Sequence, residues 1–322
     1  MYNKASIYEG VNILEKMMQK FCLMSATTLA LVGCNNEGDT ESAEGGDTSP
    51  ETLQVQFVPT NNDGSMEAMA EPFEDYLSEK LDREVNVTLA TDFSTIVQAM
   101  GSDQVDLGIM PPAAYVQARD MGAAEAVLSS ELEAYDRETG EPLEGETTPS
   151  FKGEVLVKAD SDLQNLEDLA GANIATLSPS SAAGYIYPVA EMNEAGIDLS
   201  DITFTTVNDI PSQLTAVLNG QQDAAFVFEG ARYVFQDAVG DNDLVEDLRV
   251  LYLTEGDIPN DAIAVQPDMD QDLKDQIAEA FRQMPEDETG QEVMGLWGHQ
   301  DYTEPDEEAY DTLNQYTELA AD

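Results

Sequence analysis

The chain has 322 residues, and its 65 acidic side chains outnumber its 13 basic ones, for a formal net charge of −52. Hydrophobic residues make up 42% of it, which is normal for a folded core, so the acidity does not indicate general disorder. Repulsion between like charges reaches about 10 Å at 0.1 M salt but only about 3 Å at 1 M, so this charge is typical of a halophilic protein. No basic patch could neutralise phosphates, which argues against nucleic acid as a partner.

The N-terminal part of the chain has the pattern of an export signal. Lys20 is followed by the apolar run FCLMSATTLALVGC, whose length and closing small residues are typical of a signal peptide. Its end, Leu31 to Cys34, resembles a bacterial lipobox, in which the cysteine is acylated and becomes the first residue of the mature lipoprotein. We therefore predict a signal peptide with lipobox over residues 1–34 and lipidation of Cys34. A plain secretory signal or a short buried helix is the alternative.

The chain is poor in residues that carry nucleophilic or metal chemistry. Cys22 and Cys34 are its only cysteines, and His299 is its only histidine. Removal of Cys22 with the signal and lipidation of Cys34 would leave no thiol for catalysis, disulfides or soft metals. A lone histidine in the segment GLWGHQDY is more typical of a surface or packing residue than of a general base. Residues 35–50, rich in Gly, Ser, Thr, Asp and Glu, then form a flexible acidic tether.

From residue 51 onward, short apolar strands alternate with helical patterns. The first three strands are predicted at 53–58, 85–89 and 105–110. Each is followed by a polar or proline-containing loop and then by a helix, the helices starting at Ser65, near Phe93-Ser94-Thr95 and before Tyr115. Such alternation is typical of parallel β-α-β units, which bind ligands beyond the carboxyl ends of their strands. Four loops would lie at that edge: 59–65, 91–95, 110–115 and 178–184.

The second half of the chain continues the alternation after a polar segment, 132–150, that we interpret as an exposed excursion. Further strands are predicted at 154–158, 172–177, 202–207, 223–228, 248–253 and 262–265, and helices at 211–218 and within 271–321. This order fits an α/β protein of two lobes joined by two hinge crossings, near 154–160 and 254–261. The predicted limits are 51–157 with 258–322 for the first lobe and 158–257 for the second.

One loop has the chemistry of an anion site. The strand that ends near Leu177 is followed by SPSSAAG and then by a helical pattern, so the loop leads into a helix N-terminus. The first turn of a helix has unpaired N–H groups and the positive end of the helix dipole. Ser180 and Ser181 add hydroxyl donors, while Ala182, Ala183 and Gly184 allow close approach to the backbone. We call residues 178–184 the cradle and predict that it binds an oxyanion; an ordinary serine N-cap on a structural helix is the alternative.

Taken together, several motifs resemble the periplasmic substrate-binding lipoproteins of phosphonate and phosphite ABC transporters. In chain order they are VPTNN, TDFSTIVQAM, VDLGIMPPAAY, DLAG followed by SPSSAAGYIYP, LNGQQDAAFV and IPNDAIAV. Each motif is short, and their order and spacing carry the resemblance from about Leu53 to Phe281. It implies a type II, Venus-flytrap fold of two lobes that close on a ligand, without a cofactor and without enzymatic activity.

The resemblance also implies the residues of the ligand site. In the first lobe they are Phe93, Ser94, Thr95, Met110 and Tyr115. In the second lobe the headgroup would rest on Ser180, Ser181, Ala182 and Ala183. Asp261 matches a family carboxylate that can hold a ligand amine, and Glu229 lies close to a second such position.

This chain departs from the family at several of these positions. Ala182 and Ala183 replace hydroxyl residues, Phe93 stands where a tyrosine is frequent, and Ile210 stands where many members place a histidine. Arg232 could lend a charge to the site, although a surface ion pair is the more ordinary role. These departures reduce the number of side-chain donors available to a phosphonate.

The sequence thus predicts a monomeric, lipid-anchored, extracytoplasmic solute-binding protein. It would capture phosphonate, phosphite or phosphate between its lobes and deliver it to an ABC permease. A sensor that presents arsenate or a related anion to a membrane histidine kinase is the alternative within the binding class. An enzyme would need a metal cluster or a base near the cradle, and the sequence shows neither. A structural lipoprotein with a vestigial cleft is the third possibility.

Overall fold

The computed structural model describes residues 50–58, 65–137, 140–207 and 209–321, and for residues 65–67 the backbone alone. The predicted signal peptide, the lipidation of Cys34, the tether up to residue 49 and the loop at 59–64 lie outside these residues. No helix within the described ranges is long and apolar enough to cross a membrane.

The first sheet has seven strands and mixed direction. Across the sheet they are β14 (His299–Thr303), β4 (Glu125–Tyr135), β13 (Ala262–Val265), β3 (Leu107–Met110), β1 (Thr52–Phe57) and β2 (Glu84–Leu89), with β5 (Pro142–Thr148) paired to β4. Strand β1 runs parallel to β2 and β3, whereas β13 is antiparallel to both of its neighbours. The carboxyl ends of the three parallel strands therefore share one edge, as the alternation predicts.

The second sheet has five strands in the order β11 (Leu248–Leu253), β7 (Gly153–Lys158), β10 (Ala224–Phe228), β8 (Asn173–Thr176) and β9 (Thr203–Thr206). Strands β10, β8 and β9 are parallel, so their carboxyl ends also share an edge. Buried apolar residues pack on both faces of this sheet, Ile174 on one and Ala175 on the other.

The helices, in chain order, cover the sheets. They are α1 (Ser65–Leu81), α2 (Phe93–Gly101), α3 (Pro112–Asp120), α4 (Tyr187–Glu194), α5 (Ile210–Leu218), α6 (Ala231–Val234), α7 (Leu244–Asp247), α8 (Gln271–Arg282), α9 (Glu288–Gly295) and α10 (Glu307–Ala321). A single π-helical turn, Ala182–Ile186, leads directly into α4, so that residues 182–194 form one continuous helical segment.

Two short strands connect the sheets. Strand β6 (Ser150–Phe151) pairs with β12 (Ile258–Pro259) in an antiparallel ribbon. Because β7 pairs with β10 on one side and β11 on the other, residues 153–157 belong to the second sheet. The lobe limits themselves, 51–157 with 258–322 and 158–257, and the crossing near 154–160 stay a prediction.

All nine predicted strands are present within about two residues of their predicted limits, and five further strands were missed. The segment 132–150, expected to be an excursion, forms the β4–β5 hairpin, whose outer strand is mostly exposed. The segment has no clear strand pattern in the sequence, because its charged residues occupy solvent-facing positions of the hairpin. Strand β14 interrupts the region 271–321, which was predicted as helices alone.

Candidate functional site

The cradle is the first turn of the helical segment 182–194. The Ser181 hydroxyl caps this turn by accepting a hydrogen bond from Gly184 N at 3.2 Å. The Leu177 N–H bonds to Gly184 O at 3.1 Å, which closes the loop upon itself. Among the described residues, none accepts from the backbone N–H of Ala182 or Ala183. Two adjacent donors at a helix start are an arrangement that binds anions.

Ser180 and Ser178 form the outer part of the cradle. Their hydroxyls lie 2.6 Å apart, and Ser180 N donates to Ser178 Oγ at 3.2 Å. Ser180 is exposed, whereas Ala182 and Ala183 are buried. Gly184 has a steric reason to be glycine, because a Cβ there would lie 2.6 Å from Leu177 Cγ. The small residues of the cradle thus let its backbone lie against its own strand end.

Two other helix starts that follow parallel strands are capped by carboxylates of the chain itself. Asp92 caps α2, where its Oδ1 accepts from Thr95 N and from the hydroxyls of Ser94 and Thr95. These hydrogen bonds, Ser94 first, lower the pKa of Asp92. Asp209 caps α5 by accepting from Ser212 N at 2.9 Å. The cradle therefore differs from both, since its cap is a neutral serine.

Three of the predicted first-lobe residues contribute apolar surface. Met110 and Tyr115 are buried in one hydrophobic cluster with Ala182 and Ala183, and the half-buried Phe93 packs against that cluster. The phenol of Tyr115 is already paired, since it donates to Glu307 Oε1 at 3.0 Å and accepts from Ala126 N at 3.1 Å. The wall that meets the cradle is thus apolar, and the hydroxyls of Ser94 and Thr95 bond to Asp92.

Glu229 follows β10 and lies at the connection between the sheets. Its Oε2 accepts from Lys152 N at 3.1 Å, and its own N–H donates to Lys152 O. Burial raises the pKa of the Glu229 carboxyl, although Arg137 and Lys152 act in the opposite direction. The structure therefore brings this residue to a connecting segment and gives its carboxylate a partner within the chain.

Asp261 lies directly before β13, whose first residue pairs with Met110 at the carboxyl end of β3. The Asp261 Oδ2 is 3.4 Å from Nε2 of His299, and Nδ1 of His299 is 3.2 Å from the Tyr302 hydroxyl. His299 is buried, so it is not the surface residue that the sequence allowed. Its tautomer decides the direction of both hydrogen bonds.

Arg232 is not a surface residue. It is buried, and its Nε lies 3.5 Å from Oε1 of the equally buried Glu154. Burial raises the pKa of Glu154 to about 7 against the opposing effect of Arg232. The ordinary surface ion pair expected for Arg232 is therefore wrong, because α6 follows β10 and carries Arg232 against the start of β7.

The sequence analysis missed the ion pair and hydrogen bond that link the two segments connecting the sheets. Lys152 is buried, and its Nζ lies 3.0 Å from Asp257 Oδ1 and 2.6 Å from the Glu255 carbonyl. Although partial burial opposes it, the hydrogen bond and charge of Lys152 lower the pKa of Asp257. Lys152 in FKGEV follows a polar stretch and has no periodic signal that would single it out.

A cavity of about 400 Å³ lies beside the second sheet, apart from the cradle. It is lined by residues 164–167, by the end of α4 and by Leu251, Tyr252 and Glu255, and none of its residues belongs to the cradle. Four of its lining residues are glutamates, namely Glu167, Glu191, Glu194 and Glu255. Such a lining repels anions, so this cavity is not the oxyanion site.

Comparison with known proteins identifies a family for this chain. Residues 55–310 match the family model described as the periplasmic substrate-binding protein of a phosphonate ABC transporter. The Phosphate-import protein PhnD of Mycolicibacterium smegmatis is 27% identical over 221 residues, which cover 65% of this chain and 65% of that protein. The Phosphonates-binding periplasmic protein of Escherichia coli is 23% identical over 255 residues, covering 76% of this chain and 70% of that protein.

A solved structure shows the same fold. PhnD1 from Prochlorococcus marinus, in complex with methylphosphonate, superposes with a TM-score of 0.64 at 16% identity, covering 84% of this chain and 98% of that one. Its two-lobed periplasmic-binding-protein fold confirms the predicted α/β fold class. The family consists of solute-binding proteins for transport and not of enzymes. This chain belongs to the periplasmic substrate-binding proteins of phosphonate ABC transporters.

Proposed function

We propose that the cradle captures a small tetrahedral oxyanion of the phosphonate, phosphite or phosphate type, which the protein delivers to an ABC permease. The observation that carries this proposal is the pair of N–H groups of Ala182 and Ala183, which have no acceptor among the described residues. They stand at the start of the 13-residue helical segment 182–194. The helix dipole adds a positive potential at that point, so the site needs no cationic side chain.

The surroundings of the cradle select among oxyanions. Met110 belongs to the same hydrophobic cluster as the cradle alanines, and the half-buried Phe93 packs against that cluster. This apolar surrounding suits a ligand with one apolar substituent, such as the methyl group of methylphosphonate or the hydrogen of phosphite. The carboxylates of Asp92 and Asp209 cap neighbouring helix starts. They repel a dianion more strongly than a monoanion, so an oxyanion that keeps one proton is favoured.

A charge placed at the cap tests the site. Asp is as good an N-cap as Ser, so Ser181→Asp preserves the helix start but turns the cradle into the carboxylate-capped type seen at Asp92. We expect this variant to melt within about 2 °C of the wild type and to lose at least about 100-fold in oxyanion affinity. Ser181→Asn, a neutral cap of the same shape, is the matched control and should bind within a few-fold of the wild type.

Binding is measured with the purified protein in molar salt, against phosphate, phosphite, methylphosphonate, aminoethylphosphonate, arsenate and sulfate. A ligand at 100 times its dissociation constant adds about 2.7 kcal/mol to the folded state, which a thermal shift detects. A shift with one or two phosphorus oxyanions supports the proposal and names the ligand. Equal binding by Ser181→Asp and the wild type would place the site elsewhere, and no shift with any anion would refute the oxyanion function.

We further propose that the mature protein is held on the extracytoplasmic face of the membrane by a lipid on Cys34. The support is the run Leu31-Val32-Gly33-Cys34 at the end of an apolar segment of signal-peptide length. Cys34→Ser removes the acylated atom, so the variant should appear in the medium or the periplasmic fraction while the wild type sediments with membranes. Equal partition of both forms would exclude the anchor without affecting the proposal for the cradle.

A further inference from the structure

One buried hydroxyl beside the cradle has no partner. Thr176 is the last residue of β8 and is 1% exposed, and no described residue bonds to its Oγ1. Its carbonyl is used, because it accepts from Val207 N at 2.8 Å. A buried hydroxyl without a partner destabilises a folded protein, so this group calls for a partner that the chain itself does not supply.

The direction of this side chain follows from the strand. Side chains two residues apart on a strand share a face, so Thr176 lies on the face of Ile174. Ile174 packs in one cluster with Val189 and Met192 of α4, which continues the cradle helix. The bond from Leu177 N to Gly184 O draws the first turn of that helix over the end of β8. Thr176 therefore lies on the sheet face that this helix covers, one residue before the strand end that bonds to its first turn.

This placement matters because Ala182 and Ala183, whose N–H groups are unpaired, carry no hydroxyl of their own. The nearest cradle hydroxyl, that of Ser181, accepts the N–H of Gly184 and has one hydrogen left to donate. A tetrahedral oxyanion on the two N–H groups has further oxygens to satisfy, and a buried neutral hydroxyl can donate to one of them without adding charge.

We propose that Thr176 is a ligand-binding residue whose Oγ1–H donates to an oxygen of the oxyanion held by the cradle. The inference rests on the proposed function and adds to it the residue that replaces the missing hydroxyls. The bound oxyanion would then have three donors: two amides at the helix start and one hydroxyl at the end of β8. The apolar substituent is left to point toward the wall that includes Phe93 and Met110.

Isosteric replacement separates a ligand contact from a structural one. Thr176→Val exchanges the hydroxyl for a methyl group, so the ligand-free variant should melt at the same temperature as the wild type or higher, because an unpaired buried hydroxyl is removed. Its dissociation constant for methylphosphonate and for inorganic phosphate, measured by calorimetry in molar salt, should rise about tenfold, which corresponds to about 1.4 kcal/mol.

Two further variants complete the experiment. Thr176→Ser keeps the hydroxyl and should bind within about threefold of the wild type, which corresponds to less than about 1 kcal/mol. Thr203→Val makes the same change at the opposite end of the neighbouring strand β9, away from the cradle edge, and should leave affinity unchanged.

Each outcome decides a different point. A wild-type protein that binds and a Thr176→Val variant that binds equally well overturn the inference alone. Loss of affinity accompanied by a lower melting temperature of the ligand-free Thr176→Val variant assigns the hydroxyl a structural partner and also overturns it. A wild-type protein that binds neither probe overturns the proposed function and this inference with it.

Discussion

Replacing Glu191 with glutamine tests how the second crossing is held to the second sheet's helix layer. Glu191 is a buried residue of α4, and its carboxylate accepts four hydrogen bonds. Its Oε2 accepts from the Tyr252 hydroxyl at 2.7 Å and from Glu255 N at 3.0 Å. Its Oε1 accepts from Gly256 N at 3.0 Å and from the Tyr316 hydroxyl of α10 at 3.2 Å.

The expected cost follows from the geometry of the amide. Each carboxylate oxygen accepts from one backbone N–H and one tyrosine hydroxyl, so the NH₂ group of glutamine faces a backbone donor in either orientation. A tyrosine hydroxyl can rotate and accept instead, but the N–H cannot. One buried N–H without an acceptor costs about 1–3 kcal/mol, and the remaining bonds lose their charge assistance. We expect Glu191→Gln to lower the free energy of unfolding by about 2–4 kcal/mol.

Urea unfolding in molar potassium chloride, followed by tryptophan fluorescence from Trp297 and by circular dichroism, measures this loss. Glu194→Gln on the same helix is the matched control, because Glu194 is exposed and its replacement should change stability by less than about 0.5 kcal/mol. If Glu191→Gln unfolds within that same margin of the wild type with an unchanged denaturant slope, the four hydrogen bonds do not hold the crossing and the reasoning is wrong.

Two other substitutions test the neighbourhood of β7. Burial raises the pKa of the Glu154 carboxyl from its usual 4.5 to about 7, so the folded form retains a proton that the unfolded chain has lost. Between those two pH values the free energy of unfolding should therefore fall by up to about 3 kcal/mol as pH rises. The Glu154→Gln variant should lack this part of the fall. Parallel curves of unfolding free energy against pH for the two proteins, from pH 4.5 to 8, would contradict this prediction. Gly230→Ala should destabilise more than Gly240→Ala, since both have positive φ but only at Gly230 would the new Cβ overlap the Tyr135 ring. Equal melting temperatures for these two variants would show that the ring moves away without cost.

The location of the cradle could be predicted because it depends on neighbouring residues alone. An apolar strand, a Ser/Pro turn and a run of small residues specify a strand, a loop and a helix start within about a dozen positions. The same local logic places the nine predicted strands and predicts the shared edge of β1, β2 and β3. It also could have identified Asp92, since TDFST has the pattern of an N-cap with hydroxyls after it.

What the side chains of the site bond to was decided by residues far along the chain. Tyr115 lies in one of the motifs predicted to form the site, yet its hydroxyl bonds to Glu307, which is 192 positions away. Asp261 pairs with His299 because β14 pairs with β4 in the first sheet. No sequence pattern near either residue predicts β14.

Local patterns therefore determined which segments form strands, helices and the turn of the cradle, because those depend on backbone preferences and on the spacing of apolar residues. The tertiary structure decided which polar groups remain unpaired, because that depends on every partner the fold brings within hydrogen-bonding distance. Thr176 illustrates the difference. In the sequence it is one more residue at the end of a strand, and only the packed structure shows that its hydroxyl is buried and has no partner among the described residues.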